Sequence, residues 1–242
     1  MVKRALVIVP TYNERDNLPV LTAGLMQYPN VSMLIVDDQS PDGTGAVADA
    51  LARAHPGRID VMHRTANRGL GRSYVDGIRA ALQRPVDVIC QMDSDLSHDP
   101  RHLGDLIAGT DRADVVIGAR YIPGGAIVNW PLRRRVLSRF ANAYIRVITR
   151  LDARDCTSGY RCWRREALAR VPLDRTGSEG YSFLVEMLFA AAAAGLTCTE
   201  VPITFVERRL GESKLSRAVL IESAITPWRL VATRKTARPT VG

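Results

Sequence analysis

The chain has 242 residues, 46% of them hydrophobic and 24% charged, with a formal net charge of +8. That length holds one large α/β domain or two small ones, and that composition buries a normal core. The longest uncharged apolar stretch, residues 187–199, is too short and too alanine-rich to cross a bilayer, which argues against a spanning protein.

The charge is uneven. Residues 120–150 carry seven Arg and no acid, and residues 208–239 carry six Arg and two Lys against Glu212 and Glu222. Positive charge concentrated in this way favours an anionic partner: phosphates, nucleic acid or anionic lipid. Cys90, Cys156, Cys162 and Cys198 show no CxxC spacing. They read as reduced, mostly buried thiols of a cytosolic protein. The first residues run directly into a strand-like segment, which predicts no signal peptide.

Residues 5–9 are apolar throughout, as a strand covered on both faces should be. Pro10-Thr11-Tyr12-Asn13-Glu14 is the loop after it, and a helix follows over 17–27, capped by Asn13 or Asn17. Residues 33–36 form a second strand ending in Asp37-Asp38, and a helix follows over 46–54. Residues 59–63 are a third strand. The turn Asn67-Arg68-Gly69-Leu70-Gly71 leads into a helix over 73–83. It lacks both the dinucleotide and the P-loop spacing, so it reads as a tight turn that lets the helix pack closely.

The fourth strand begins at Val86 and ends in Met92-Asp93-Ser94-Asp95-Leu96-Ser97-His98, with Asp99-Pro100 as the break. In an extended chain, positions i and i+2 point to one side. Two carboxylates so placed raise each other's pKa unless a positive group lies between them. A divalent cation, Mg2+ or Mn2+, suits their hard oxygens. Four alternations of strand and helix predict a Rossmann-like, doubly wound, mostly parallel sheet. Ligands bind such sheets at the carboxyl ends of the strands, where all four polar clusters fall.

Residues 114–118 are a further strand, followed by Arg120-Tyr121 and a loop. In a helix over 135–151, Arg135, Arg139, Asn142, Arg146 and Arg150 fall within an arc of about 80°, opposite an apolar sector of about 120°. With no acid to pair each Arg at i,i+4, this amphipathic helix is expected at a membrane interface. Asp155-Cys156-Thr157-Ser158-Gly159-Tyr160-Arg161 is a polar turn. An alanine-rich helix over 180–194 stops at Gly195, and residues 198–205 are a last strand. In the loop 207–215, Arg208 and Lys214 flank Gly211 and could neutralise a diphosphate. Residues 216–235 are helical, and 236–242 read as a disordered end. Residues 1–215 are thus expected as the catalytic unit, with 216–242 a basic helical tail on that unit or at the membrane.

Taken together, Pro10-Thr11-Tyr12-Asn13-Glu14, Val36-Asp37-Asp38, Gly69-Leu70-Gly71, the Met92–His98 stretch, Gly118-Ala119-Arg120-Tyr121, Thr157-Ser158-Gly159-Tyr160-Arg161 and Gly211-Glu212-Ser213-Lys214-Leu215 resemble the dolichol-phosphate mannose synthases, a polyprenyl-phosphate branch of the family 2 glycosyltransferases. The resemblance spans about residues 5–230 and implies the glycosyltransferase A fold. It implies transfer of mannose from GDP-mannose to a polyprenyl phosphate by metal-assisted inverting displacement. Pro10, Tyr12, Glu14, Val36, Asp38, Met92, Asp93, Ser94 and Asp95 would hold the donor. Asp93 and Asp95 would bind Mg2+ or Mn2+. Ser97 stands where the family often has a longer Gln ligand, leaving direct ligation or ligation through water. Arg208 and Lys214 would hold the donor diphosphate. Arg120, Arg134 and Ser138 would hold the acceptor phosphate, and Asp95 and Arg120 would be catalytic. The resemblance implies a peripheral protein on the cytoplasmic side of a membrane. Recruitment by a partner membrane protein stays open, because some relatives carry transmembrane helices that this sequence lacks. UDP-glucose is the alternative donor, and a basic nucleotide- or nucleic-acid-binding module the alternative class. Nucleic acid is not expected, since the Asp pair would be unexplained and aromatic stacking strips are missing.

Overall fold

Alternate residues of the first strand, β1 (Ala5–Thr11), enter two different cores. Leu6 and Ile8 face one side of the sheet, and Ala5, Val7 and Val9 the other. The computed structural model of the protein describes residues 2–65, 68–175, 181–207 and 217–236. From β1 the chain runs through α1 (Leu18–Leu25), β2 (Val31–Asp37), α2 (Thr44–Ala54), β3 (Ile59–His63), α3 (Leu70–Leu82) and β4 (Val88–Gln91). It continues through α4 (Leu103–Gly109), β5 (Val115–Ala119), β6 (Ala126–Val128), α5 (Leu132–Thr149), β7 (Arg161–Arg164) and α6 (Arg165–Leu168). The last elements are α7 (Tyr181–Ala193), β8 (Cys198–Pro202), β9 (Thr204–Val206) and α8 (Arg217–Thr236).

Seven strands form one sheet in the order β3-β2-β1-β4-β7-β5-β8. Its pairings are parallel except for β7, which lies antiparallel between β4 and β5. Helices cover both faces. Tyr74, Val75 and Ile78 of α3 join Phe183 and Leu184 of α7 on one side. Leu18 and Leu21 of α1 and Leu103 and Leu106 of α4 lie on the other. Strand order reverses at β1, with β2 on one flank and β4 on the other. A crevice therefore opens at the carboxyl ends of β1 and β4.

Three expectations are corrected. The predicted strand over 198–205 is two strands. β8 pairs with β5 as far as Pro202, and β9 then pairs in parallel with β6 in a separate two-stranded ribbon. Pro202 has no amide hydrogen to carry the ladder further. Of the cysteines expected as free thiols, Cys90 and Cys162 form a disulfide. They face each other directly in the antiparallel β4–β7 register, a distant pairing that spacing cannot reveal. Cys198 is exposed, while Cys156 is buried and its thiol is pushed up to about 12 by that burial.

The third correction concerns α5. Its inward seam is Asn142, Ile145 and Thr149. Val136, Leu137, Phe140 and Val147 are exposed, as are Arg135, Arg139, Arg146 and Arg150. Asn142, placed on the arginine face by periodicity, is buried and donates to the Thr157 hydroxyl at 3.1 Å. Helix α8 lies beside α5. The Tyr144 hydroxyl donates to the Ala224 carbonyl at 2.8 Å and accepts from Trp228 Nε1 at 2.9 Å. Arg229 of α8 also forms an ion pair with Glu186 of α7.

Candidate active site

The crevice floor is a tight turn after β4. The Ser94 hydroxyl donates to the Pro10 carbonyl at 3.1 Å, tying this turn to the end of β1. Leu96 takes a left-handed φ of 61°. Asp95 Oδ1 then accepts from both the Ser97 amide at 3.1 Å and the Ser97 hydroxyl at 2.5 Å. Asp93 accepts from the Tyr74 hydroxyl at 3.2 Å, and its amide donates to His98 Nδ1 at 3.2 Å. Burial raises the Tyr74 pKa, with Asp93 adding to it, so this phenol keeps its proton and stays a donor. Burial lowers the His98 pKa, which keeps that ring neutral.

Asp93 and Asp95 face one cavity. A side-chain carbon on Gly159 would lie 3.2 Å from Asp93 Oδ2, so glycine keeps the approach to this carboxylate clear. Among the described residues, no third His, Cys, Asp or Glu completes a metal cluster. Two hard-oxygen carboxylates fit a cation that takes one or two protein carboxylates and fills its other positions with substrate phosphate and water.

Cationic groups stand on the far wall. Arg120 is 7% exposed and meets buried Asp155 in a fork, Nε to Oδ2 and Nη2 to Oδ1, each at 2.7 Å. Its Nη2 also donates to the Thr157 hydroxyl at 2.8 Å. Burial would raise the Asp155 pKa, but the Arg120 guanidinium and its hydrogen bonds outweigh this and hold it below the usual carboxylate range. Arg134 pairs with Glu207 and stacks on the Trp130 ring, 4.0 Å from its centre.

The cavity has a volume of about 400 Å³. Asp93, Asp95, His98, Arg120 and Arg134 line its polar end. From there it runs between α5 and α8, past Leu137, Phe140, Tyr144, Ala224 and Pro227. Such a space takes a ligand with a charged head and an apolar tail.

Residues 6–171 match the family described as glycosyl transferase family 2. The chain belongs to this family. It is 48% identical to polyprenol monophosphomannose synthase of Mycolicibacterium smegmatis, a match covering 91% of this chain and 84% of that one. It is 44% identical to undecaprenyl-phosphate mannosyltransferase of Micrococcus luteus, covering 99% of both. Among solved structures, mannosyl-3-phosphoglycerate synthase from Rubrobacter xylanophilus superposes with a TM-score of 0.67 at 16% identity, over 99% of this chain and 77% of that one. Glucosyl-3-phosphoglycerate synthase from Mycobacterium tuberculosis, in complex with Mn2+, uridine diphosphate and glucosyl-3-phosphoglycerate, gives a TM-score of 0.66 at 15% identity, over 98% and 82%. These structural likenesses show the fold, the glycosyltransferase A fold.

In this family 2 glycosyltransferase the expected donor positions divide into two sets. Pro10, Tyr12, Glu14, Asp38, Asp93, Ser94 and Asp95 lie around the crevice between β1, β2 and β4. The side chains of Val36 and Met92 are instead wholly buried in the two cores. Asp38 is engaged by Arg64 and by the Gly69 amide at 2.8 Å. Gly69 has φ 152°, where a residue without a side chain is at ease. The Glu14 carboxylate accepts from the Asn17 side-chain Nδ2 at 2.7 Å. Arg68 lies over the Tyr12 ring, 4.9 Å from its centre, and donates to its hydroxyl at 3.0 Å. Arg120, Arg134 and Ser138 all line the cavity. Arg208 and Lys214 lie outside the described residues, as does Asn67. Asp155, Thr157 and His98 were given no role from sequence. The Thr157–Arg161 motif was the one signal pointing at the loop that carries the first two.

Proposed function

We propose that this glycosyltransferase moves mannose from GDP-mannose to a polyprenyl phosphate, giving the β-mannosyl phosphate by one in-line inverting displacement. The observation that carries this reading is the single cavity joining a carboxylate–arginine end to an apolar corridor between α5 and α8. A phosphate-headed lipid matches it end for end. The two curated relatives act, by their names, in polyprenyl-phosphate mannose chemistry, which supports the same acceptor and sugar.

Asp93 and Asp95 would hold Mg2+ or Mn2+, which when bound neutralises the donor diphosphate and its leaving group. Ser97 would orient Asp95, since its hydroxyl is directed at that carboxylate. Pro10, Tyr12, Glu14 and Asp38 would hold the guanosine, with the cores behind Val36 and Met92 supporting them. Arg208 and Lys214 would hold the diphosphate. Arg120, Arg134 and Ser138 would hold the acceptor phosphate, Asp155 fixing the plane of the Arg120 guanidinium. The acceptor's second pKa is about 6, so near neutral pH it attacks as an anion and needs positioning more than a strong base. The cations offset its repulsion from the donor.

Exposed apolar residues of α5 and α8, flanked by arginines, would rest on the cytoplasmic surface of a membrane, with or without a partner membrane protein. No described helix is long and apolar enough to cross a membrane.

A screen of radiolabelled sugar nucleotides with a native lipid extract and Mg2+ or Mn2+ tests the reading. GDP-mannose should give a lipid-soluble product, and Asp95→Ala should abolish it without lowering the melting temperature. Faster transfer from UDP-glucose would overturn the donor assignment, and full activity in Asp95→Ala would overturn the site.

A further inference from the structure

His98 stands at the polar end of the cavity with 1% of its surface accessible. Tyr160 and Phe205 hold its ring, their centres 5.1 Å and 5.4 Å away. Nδ1 accepts the Asp93 amide hydrogen at 3.2 Å. An imidazole nitrogen that accepts carries no proton, so in the neutral ring the hydrogen is on Nε2. Among the described residues the ring's hydrogen bond is the one at Nδ1, and His98 lines the cavity. A donor on a cavity wall is stabilised when the occupant of the cavity accepts from it.

The occupant follows from charge. His98 lines the cavity together with Asp93, Asp95 and Arg120, its Nδ1 3.8 Å from Asp93 Oδ2. On the proposed reading, the donor diphosphate is held at the two carboxylates and the acceptor phosphate at Arg120. The hexose in transit has to lie between them. Each anion already has its cations, whereas a neutral N–H matches a neutral hydroxyl.

We infer that His98 donates its Nε2 hydrogen to a hydroxyl oxygen of the transferred hexose and is a sugar-binding residue of this site. The inference rests on the proposed donor and acceptor.

The test is calorimetric titration of GDP and of GDP-mannose, with Mg2+, into wild type, His98→Asn and His98→Gln. Asn keeps an acceptor near the Nδ1 position but does not reach the Nε2 position, whereas Gln places an amide N–H there. His98→Asn should weaken GDP-mannose about tenfold and leave GDP within about twofold, as for one lost hydrogen bond, and His98→Gln should recover most of the loss. Equal weakening of both ligands would mean that His98 serves only to hold Asp93, and would overturn the inference. So would no change in either. Wild type that binds GDP but not GDP-mannose would overturn the donor reading itself, and this inference with it. Should His98→Asn not fold, wild type and monodeoxy analogues of GDP-mannose decide. One of them should bind about tenfold more weakly, and the inference falls if none does.

Discussion

Arg120 shows how far a single side chain depends on a residue distant in sequence. Its guanidinium is held by Asp155, 35 positions on, in a pair with almost no contact with water. Removing one member of a buried pair leaves the other uncompensated, which typically destabilises by about 3–5 kcal/mol. Asp155→Asn should therefore lower the urea midpoint of unfolding and raise the KM for the lipid acceptor more than that for the donor. The pH dependence has a definite sign. The folded Asp155 pKa is below its ordinary value, so its stabilisation is complete above about pH 4, the unfolded value. It fades as pH falls through the depressed folded value. The gap in urea midpoint between wild type and Asp155→Asn should thus shrink on acidification, and a gap constant from pH 7 to pH 3 would contradict the pairing. Nothing in the sequence joins these two residues. Asp93 and Asp95 were legible because a strand end fixes what i and i+2 do, whereas Asp155 is one acid in a polar turn.

At the scale of elements, close packing of α3 on the sheet positions Tyr74 beneath Asp93. Gly77 makes the approach: a side-chain carbon there would lie 2.7 Å from Ile8 Cγ2 and 3.1 Å from Val36 Cγ2. On an exposed helix Gly→Ala stabilises by about 1 kcal/mol. Here overpacking reverses the sign, and Gly77→Ala should destabilise by about 1–3 kcal/mol, read from urea unfolding. A stabilised variant would show that α3 can move away from β1 and β2. The strands β1, β2 and β4 were legible because buried parallel strands are written as apolar runs. Strand β7 was not, because it begins with Arg161, which reads as a surface residue. In the fold Arg161 is wholly buried and donates to the carbonyls of Ser158, Leu184 and Cys156 at 2.9, 2.6 and 2.8 Å. It thereby joins the loop that carries Asp155 and Gly159 to α7. The β6–β9 ribbon was also missed, since three half-exposed residues a strand carry too little pattern to read.

Over the whole molecule, charge and apolar surface meet on one side. Phe140 is 67% exposed and Val147 80% on α5, and Ile225 is 58% and Trp228 60% on α8. The hydrogen bonds through Tyr144 join these two helices, so the four side chains belong to one surface. Arg135, Arg139, Arg146 and Arg150 flank it. The cavity runs between the same helices, so the proposed lipid would enter from the surface that the proposed membrane contact covers. Each arginine near anionic lipid contributes about 1 kcal/mol, and burying a Phe or a Val side chain contributes about 1.5–3 kcal/mol. The double substitution Phe140→Ser, Val147→Ser should therefore reduce co-sedimentation with anionic vesicles by about a hundredfold. Raising the salt should weaken the wild type as well, because it screens the arginine contribution. Activity on a short-chain, water-soluble acceptor should survive Val147→Ser alone, since Val147 is exposed to solvent and Phe140, unlike it, also lines the corridor. Undiminished vesicle binding in the double variant would place the membrane contact on another face.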